Sequence, residues 1–226
     1  REGIKMTENA KFSFAVQAES FDDHIEQSIR GYAALCDDVV SISRYFAEDN
    51  TNVLDIGCTT GKLLSRIAEK NDQASNANYV GIDIEANFQG YWDKLSNVEC
   101  QLSDVRDYNG FNNLSLVTSI FTLQFIAERD RLQTFQRIYD GLVEGGAFIF
   151  SEKVLSRNPK IQNMMDMIYY DYKKKTFSEK EILDKEQDLR YLMKLTPEHK
   201  LLLSCASVGF KGVQVFWRNF NFVGVL

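Results

Sequence analysis

The chain has 226 residues, of which 44% are hydrophobic and 26% are charged, and its formal net charge is −6. This composition suits one folded α/β domain, and it excludes a disordered chain and a general polyanion binder, which needs a concentrated basic surface. No apolar run is long enough to cross a bilayer, and residues 1–11 lack the apolar core of a signal peptide. We therefore expect a single domain over 1–226 that neither spans a membrane nor is secreted.

Cysteine spacing and basic runs narrow the function classes further. The four cysteines lie far apart in the sequence, without a C-x-x-C pair: Cys36, Cys58, Cys100 and Cys205. With only two histidines beside them, they favour free thiols in a reducing, cytoplasmic compartment and predict no metal site. The main basic run, Lys173–Lys175, is interpreted as a solvated helix end rather than a nucleic-acid surface.

The segment 21–47 predicts two N-terminal helices, because apolar residues recur at helical spacing over 21–30 and 33–47 and Gly31-Tyr32 separates the two stretches. Over 52–154, apolar runs then alternate with amphipathic stretches, which predicts a mostly parallel sheet with helices on both faces. In chain order the predicted elements are strand Asn52–Ile56, helix Lys62–Lys70, strand Tyr79–Ile84, helix Ala86–Leu95, strand Val98–Leu102, strand Leu114–Thr122, helix Glu128–Leu142 and strand Ala147–Glu152.

The segments after this core predict a cap and a hairpin. Residues 160–206 contain three helix-like stretches where a doubly wound fold usually needs one, which indicates a helical cap. Residues 213–226 carry two aromatic strands split by Arg218-Asn219, a pattern typical of an antiparallel hairpin at the sheet edge. An antiparallel last strand on an otherwise parallel sheet favours the Rossmann-like α/β fold of class I methyltransferases over that of most dinucleotide dehydrogenases.

The loop after the first strand, Asp55–Gly61, is the first candidate binding element. Gly57 and Gly61 permit positive φ and a close backbone approach to a flat ligand. Their spacing fits neither the dinucleotide fingerprint, whose middle glycine is replaced by Thr59, nor a P-loop. An acidic residue at the start of the loop suits a ligand with a cationic amine and a sulfonium. Asp55 is therefore predicted to orient the loop and face a methionyl amine, with a simple helix-capping role as the alternative.

Two further carboxylates follow the next strands of the predicted sheet. Asp83 ends the second strand, close to where a carboxylate accepts hydrogen bonds from both hydroxyls of a ribose. Asp104 follows the third strand, and its side chain together with the N–H of Val105 suits the edge of an adenine. Each carboxylate alone is typical of a turn residue, but carboxylates at successive strand ends predict a nucleoside site.

The fourth strand end, Ser119–Phe125, is predicted to lie nearest the transferred group. Phe121 and Phe125 are interpreted either as core residues or as rings that keep water away from a sulfonium. Tyr32 and Tyr91 are candidates to close over the cofactor, because a tyrosine face stabilises a cation. Neither of the two histidines is identified as a general base, and methyl transfer needs alignment and water exclusion more than a base.

Nearly the whole chain resembles the carboxy-S-adenosylmethionine synthase family, which belongs to the class I S-adenosylmethionine-dependent methyltransferase superfamily. The match is collinear, and FTLQF together with GGA-x-x-x-SEK is more specific than the glycine loop, which every class I enzyme shares. The resembling segments are SIRGYAAL (28–35), VLDIGCTTGK (53–62), GIDI (81–84), FTLQFI (121–126), IYDGLVEGGAFIFSEK (138–153), MDMIYYDYKKKTFSEKEI (165–182) and VFWRNFNFVGVL (215–226).

The resemblance implies an activity, an assembly and a set of cofactor contacts. Family members move a carboxyl group from prephenate onto the methyl group of S-adenosylmethionine, and a partner enzyme uses the product, carboxy-S-adenosylmethionine, on the wobble uridine of tRNA. A homodimer is implied, and no direct nucleic-acid binding is expected. The resemblance implies contacts at Tyr32, Gly57, Cys58, Thr59, Asp83, Ile84, Asp104 and Val105. The predicted cofactor site also includes the strand-end residues Asp55, Gly61, Ile120 and Phe121.

Two positions depart from the family pattern. Ile120 stands where an asparagine is expected, and Leu201–Ala206 has no counterpart of an arginine that precedes a Gly-Phe pair in the family. There the two side chains hold the cofactor and its new carboxylate, and a buried carboxylate without a guanidinium loses on the order of several kcal/mol. Lys200 and Arg218 are candidate substitutes. The open alternatives are an ordinary methyltransferase with a small-molecule acceptor and a non-catalytic binding module.

Overall fold

The computed structural model describes residues 21–226, so the expectation for residues 1–11 lies outside the described part of the chain. The strands are β1 (Asn52–Ile56), β2 (Asn78–Asp83), β3 (Glu99–Leu102), β4 (Leu114–Ile120), β5 (Leu142–Leu155), β6 (Thr196–Pro197), β7 (Val215–Asn219) and β8 (Phe222–Val225). In this part of the chain they form one sheet in the order β3-β2-β1-β4-β5-β8-β7, with β6 paired to β5 off that path.

The strand directions confirm the predicted fold. β1 to β5 pair in parallel, whereas β8 runs antiparallel to both β5 and β7. This is a mostly parallel sheet closed by an antiparallel C-terminal hairpin, as in the Rossmann-like class I methyltransferase fold. Because parallel strands present their carboxyl ends at one edge of the sheet, the loops after β1, β2, β3 and β4 come together there.

Helices cover both faces of the sheet. They are α1 (Phe21–Ser28), α2 (Tyr32–Ser43), α3 (Lys62–Lys70), α4 (Gln89–Trp92), α5 (Glu128–Gly141), α6 (Pro159–Lys173), α7 (Glu179–Leu189) and α8 (Glu198–Val208). Val39 of α2 and Leu64 of α3 are buried in the core of one face, and Phe135 of α5 and Leu201 of α8 are buried in the core of the other. The core therefore consists of two apolar layers separated by the sheet.

Two elements of the core differ from their predicted lengths. The helix expected over 86–95 is a 3₁₀ turn, Ala86–Phe88, followed by the single turn α4, and the glycine at position 90 is a poor helix former. The strand expected over 147–152 begins already at Leu142, directly after α5. Gly145, with φ 83°, lies where the pairing with β4 shifts register, so the glycines predicted to stop the helix lie inside the strand.

Two of the three helices predicted over 160–206 have strong start signals. The side chain of Asn158 accepts hydrogen bonds from the first N–H groups of α6, and Ser178 forms a reciprocal capping box with Glu181 at the start of α7. The third helix differs from the expectation. It is α8, which buries Leu201 and Cys205 in the sheet core, so of the three helices only α6 and α7 reach the edge of the sheet that carries the predicted site.

The basic run at the end of α6 also differs from its interpretation as a solvated helix end. Lys174 and Lys175 are exposed, but Lys173 is only 2% exposed, and its ammonium lies over the ring of Tyr169. All four cysteines are free thiols. Within residues 21–226 none of the helices combines the length and apolar character needed to span a bilayer.

Candidate active site

A cavity of about 450 Å³ opens at the carboxyl ends of β1 to β4, between the sheet, α1 and the α6–α7 pair. Of the twelve residues predicted to bind the cofactor, Gly61 alone does not line this cavity. The predicted residues in its wall are Tyr32, Asp55, Gly57, Cys58, Thr59, Asp83, Ile84, Asp104, Val105, Ile120 and Phe121. The fold thus brings together side chains and backbone from four successive strand ends.

The loop after β1 is held in a conformation that needs its glycines. Gly57 has φ 79°, and a β-carbon there would collide with the side chain of Thr122. Gly61 has φ 78° and precedes α3, but it faces Leu95 and Cys100 instead of the cavity. Thr59 also has positive φ, at 49°, which is uncommon for a threonine. The loop therefore stores backbone strain at the point where it approaches the cavity.

Asp55 is a buried carboxyl group in the cavity wall. It is 2% exposed, and its Oδ1 accepts a hydrogen bond of 2.7 Å from the Thr118 hydroxyl. Loss of hydration raises the pKa of Asp55 to about 7, although the Thr118 hydrogen bond opposes the shift. The negative charge of Asp83 adds a smaller contribution in the same direction. A cation in the cavity would favour the ionised form of Asp55.

Asp83 organises two turns at once. Its Oδ2 accepts from the Thr59 N–H and its Oδ1 accepts from the Glu85 N–H, each at 2.9 Å. Burial raises its pKa despite these hydrogen bonds. Each carboxylate oxygen can accept more than one hydrogen bond, so the group can still receive a ligand hydroxyl. The neighbouring Ile84 lines the cavity with a side chain that is 68% exposed, an apolar surface open to a flat ligand.

The carboxylate of Asp104 is engaged by a neighbouring side chain. Arg106 donates to it from its backbone N–H and from Nε, both at 2.9 Å to Oδ1, and from Nη2 to Oδ2 at 2.5 Å. These hydrogen bonds lower the pKa of Asp104. Val105 is buried and lines the cavity beside it. The expected adenine contact through Asp104 would therefore share the carboxylate with Arg106.

The fourth strand end contributes aromatic walls. Phe121 has φ 56°, and its ring packs edge-to-face on Phe222, with 5.7 Å between ring centroids. It is buried in the core, as one of its two interpretations has it, and it also lines the cavity. The Tyr32 ring lies 6.3 Å from the Phe121 ring and also faces the cavity. Tyr91 does not line the cavity, and its ring lies beneath the Lys94 ammonium.

Three basic side chains at the α1 and α7 side of the cavity were not predicted. Lys153, at the end of β5, is 8% exposed and lines the cavity together with Lys185 of α7 and His24 of α1. Burial and the charges of Lys185 and Lys173 lower the pKa of His24 to about 4, so the imidazole is neutral at pH 7 and accepts a hydrogen bond from the Lys185 ammonium. For Lys153 the sequence offered one signal, the SEK motif to which it belongs. That motif indicated the family resemblance but gave no role to the lysine.

The residues expected to replace the family arginine lie elsewhere. No residue of Leu201–Ala206 is in the cavity wall. Lys200 is exposed on α8, and Arg218 forms an ion pair with Glu198 at 2.5 Å. Neither basic residue lines the cavity. The basic side chains that line the cavity of this chain are Arg106 after β3, Lys153 of β5, Lys185 of α7 and His24 of α1.

A buried polar network supports the β4 and β5 strand ends. The Oε1 of the Gln124 side chain accepts from the Lys153 backbone N–H at 2.8 Å, and the backbone carbonyl of Gln124 accepts from the Lys194 backbone N–H at 2.6 Å. Arg131 of α5 forms a buried ion pair with Glu152 at 2.7 Å and also donates to the Thr196 hydroxyl. Loss of hydration raises the pKa of Glu152 to about 7 despite this pairing. The network holds Lys153 at the cavity wall.

The residues present fit a sulfonium nucleoside. Asp55 offers a buried negative charge, Asp83 an acceptor at the ribose position, and Ile84 an exposed apolar surface for a base. The strained loop allows the backbone to approach such a ligand closely. In residues 21–226, no cluster of three or more His, Cys, Asp or Glu side chains is arranged to hold a metal ion.

Sequence comparisons identify relatives of the whole chain. Residues 53–146 match a family model described as a methyltransferase domain. Carboxy-S-adenosyl-L-methionine synthase of Staphylococcus epidermidis is 39% identical over 215 residues, covering 92% of each chain. The enzyme of the same name from Shewanella halifaxensis is 31% identical and covers 91% of this chain and 87% of its own. That of Nautilia profundicola is also 31% identical, over 94% of this chain and 92% of its own.

Structural comparisons agree on the fold. The DhpI–SAH complex aligns with a TM-score of 0.65 at 12% identity, over 94% of this chain and 91% of that one. The DhpI–SAM–HEP complex aligns with a TM-score of 0.63, also at 12% identity, over 94% and 92% of the two chains. At these identities the likeness shows a shared architecture.

Proposed function

Because the chain belongs to the carboxy-S-adenosyl-L-methionine synthase family and is therefore an S-adenosylmethionine-dependent transferase, we propose that it moves a carboxyl group from prephenate onto the methyl group of S-adenosylmethionine. The observation that carries the proposal is 39% identity over 92% of both chains with a synthase of this name. The product is carboxy-S-adenosylmethionine. Removal of the ring carboxyl and ring hydroxyl leaves phenylpyruvate, and the methyl proton leaves with that hydroxyl as water.

The strand-end residues would hold the cofactor in an extended pose along the sheet edge. In this pose the ribose hydroxyls lie at Asp83 and the adenine at Ile84, Asp104 and Val105. The amine and sulfonium lie toward Asp55, whose carboxyl group becomes ionised when a cation is opposite it. The raised pKa of Asp55 and the exposed side chain of Ile84 support this assignment.

When bound, S-adenosylmethionine supplies a methyl group activated by the adjacent positive sulfur. The chain's own contribution is alignment and exclusion of water. The rings of Tyr32 and Phe121 wall the cavity beside the fourth strand end, where the methyl group is expected. A dry wall strengthens the attraction between Asp55 and a cation and keeps water from competing for reactive groups. No side chain is assigned here as a general base.

Mass spectrometry of the reaction mixture tests the proposal. Purified protein incubated with S-adenosylmethionine and prephenate should form a product heavier than the cofactor by one carboxylate, together with an equal amount of phenylpyruvate. Heat-treated protein and a reaction without prephenate are the controls. If the cofactor is consumed only when a small methyl acceptor is added, the chain is an ordinary methyltransferase, the alternative that Ile120 favours. Cofactor binding with no turnover on either substrate would instead indicate a non-catalytic module.

We also propose that the enzyme is a cytoplasmic homodimer whose product serves tRNA wobble-uridine modification. Four free thiols in the structure support a reducing compartment. Met164, Met167 and Leu183 leave apolar side chains exposed on α6 and α7, which supports burial of that surface in an assembly. Light scattering of the purified protein at several concentrations tests the dimer, and a monomer at every concentration would contradict it.

A further inference from the structure

Buried lysines are gathered around one aromatic ring at the far end of the cavity. The Lys153 Nζ lies 4.7 Å from the Tyr169 ring centroid, and the Lys173 Nζ lies 5.2 Å from the same point. Lys153 also lies 5.9 Å from the Phe222 centroid. Lys185 of α7 lines the same cavity. Three ammonium groups from β5, α6 and α7 therefore share one small region of the protein.

Lys153 and Lys173 have little opposite charge beside them in the described part of the chain. Within residues 21–226, neither Lys153 nor Lys173 forms an ion pair. Glu186 of α7 is a carboxylate that lines the cavity beside them. Glu152 lies on the other face of β5, where Arg131 pairs with it. Burying these two ammonium groups without a paired carboxylate is costly unless an anion completes the site.

The effect of this imbalance is visible in the titration of the groups. Burial and the charge of Lys173 lower the pKa of Lys185 to about 8. Burial also lowers the pKa of Lys173, the Glu186 carboxylate opposes that shift, and the charge of Lys153 adds a smaller lowering. Each lysine makes it harder to protonate a neighbour. A bound carboxylate would relieve that repulsion.

The region lies away from the expected ribose and adenine positions. In the sheet, β5 is four strand spacings from β3, whose end carries Asp104. At about 4.8 Å per spacing this is roughly 19 Å. The ribose and adenine positions follow β2 and β3, whereas Lys153 lies two residues after Ser151, which pairs with Ile120 at the fourth strand end. An anion held there is a group other than the nucleoside.

We propose that Lys153 and Lys185 bind the pyruvyl carboxylate of the second substrate, the one that phenylpyruvate retains, and that the rings of Tyr169 and Phe222 form the wall against which its cyclic body packs. This inference rests on the proposed carboxyl transfer for the identity of the reaction. It assigns the two parts of that substrate to named side chains of this chain. Lys173 does not line the cavity, so its positive charge attracts the carboxylate without touching it.

Calorimetry with two matched probes tests the site. Phenylpyruvate is the probe carboxylate, and phenylacetone, which lacks the carboxylate, is its uncharged counterpart. Both are titrated into full-length protein saturated with S-adenosylmethionine. The variants are Lys153→Met, Lys153→Arg and Lys185→Met, and Lys211→Met, an exposed lysine outside the cavity, is the control. Circular dichroism checks that each variant is folded, and Lys185→Met provides the test if Lys153→Met does not fold.

The expected pattern separates the carboxylate from the cofactor. Lys153→Met should weaken phenylpyruvate binding by about thirtyfold or more, because it removes a buried charge partner. Lys153→Arg should keep most of the affinity, and Lys185→Met should weaken it in the same direction. Binding of S-adenosylmethionine should change less than about twofold in the Lys153 variants, since their effect is assigned to the second substrate. Phenylacetone should bind weakly to every protein.

Three results would overturn the assignment. The first is that the unaltered protein does not bind phenylpyruvate, and the second is that Lys153→Met binds it as tightly as the unaltered protein. The third is that the lysine variants lose affinity for cofactor and phenylpyruvate equally, which would assign the lysines to the methionyl carboxylate. The kinetic assay separates this failure from failure of the proposed function. If phenylpyruvate binding depends on the lysines but prephenate is not turned over, the carboxylate site stands and the proposed function fails. If prephenate is turned over and its KM is unchanged in Lys153→Met, the proposed function stands and the carboxylate site fails.

Discussion

The Thr118 hydroxyl donates a hydrogen bond of 2.7 Å to the Oδ1 of Asp55, and this contact joins β4 to β1 in the centre of the sheet. Both side chains are buried. The partner of Asp55 in this contact is a neutral hydroxyl, which does not compensate a negative charge. The Asp55 pKa of about 7 follows from that environment. The ionisation of Asp55 and the binding of a cationic ligand are therefore thermodynamically linked.

Cofactor affinity should fall as the pH is lowered through about 7. A bound sulfonium favours the ionised form of Asp55, so protonation of the carboxyl group, whose pKa is about 7, competes with binding. Calorimetric Kd values for S-adenosylmethionine between pH 5.5 and 8.5, roughly 1.5 pH units either side of this pKa, should show the change. In Asp55→Asn the affinity should be lower at high pH and nearly independent of pH. An equally steep pH dependence in that variant would contradict the role given to Asp55.

Removing the Asp55 charge should stabilise the fold at alkaline pH. The pKa in the folded protein, about 7, lies above the ordinary aspartic acid value of 3.8, so the group's contribution to stability is present below pH 3.8 and is lost as the pH rises through 7. We expect Asp55→Asn to be more stable than the unaltered protein at pH 8 by roughly 2–4 kcal/mol, and similar at about pH 4. Urea denaturation at the two pH values measures this. Asp93→Asn, on an exposed side chain, should show no such dependence.

Asp83→Ala should weaken binding of S-adenosylmethionine by about 1–3 kcal/mol. The substitution removes the acceptor at the proposed ribose position and releases the Thr59 and Glu85 N–H groups, which the carboxylate holds. Calorimetry of Asp83→Ala and of the exposed control Asp93→Ala measures the difference. Unchanged affinity in Asp83→Ala would mean that the ribose lies elsewhere.

Gly57→Ala should destabilise the protein and abolish tight cofactor binding. The new β-carbon would collide with Thr122, and φ 79° is itself unfavourable for alanine. Gly212 is a matched control, because it also has positive φ, at 72°, but its β-carbon would meet no atom within 4 Å. Thermal melting and calorimetry of both variants separate the two effects. Equal losses in both would show that backbone strain alone, without the Thr122 contact, explains the result.

Arg131→Met should lower the unfolding free energy by about 3–5 kcal/mol, because it leaves the Glu152 carboxylate buried without a cation. The double variant Arg131→Met with Glu152→Gln should recover part of the loss, since no charge then remains buried. Urea denaturation measures both. Lys180→Met breaks an exposed pair with Asp184 and should leave the stability nearly unchanged. A loss in Arg131→Met no larger than in Lys180→Met would contradict the argument.

Much of the fold could be predicted because the chain alternates two clear periodicities. The bounds of β1 and α3 were predicted to the residue, since each is a strongly patterned segment between turn residues. The lengths of α4 and β5 were not predicted. A glycine can end an element or lie inside it, and the tertiary contacts decide which of the two occurs. The position of α8 on the sheet, instead of over the cavity, depends on long-range packing of Leu201 and Cys205 that helical spacing does not encode.

The two halves of the candidate site differed in how well they could be predicted. Residues such as Asp55 and Asp83 follow strands, and topology alone places the ends of parallel strands together. Lys153 and Lys185 lie on a strand and a cap helix far apart in the chain, and a lysine in either segment is usually solvent-exposed. The burial of Lys153 against Tyr169, and the position of Lys185 in the cavity wall, arise only when the cap folds onto the sheet.

The register of β5 determines which charge enters the cavity. Successive side chains on a strand point to opposite faces, so Glu152 and Lys153 lie on opposite sides of β5. Two neighbours fix the register of β5, because Ser151 pairs with Ile120 of β4 and Lys153 pairs with Phe222 of β8. A slip of β5 by one position would exchange the two groups, turning the carboxylate toward the cavity and burying the ammonium beside Arg131. The pairing of one strand with its two neighbours thus selects the electrical polarity of the pocket.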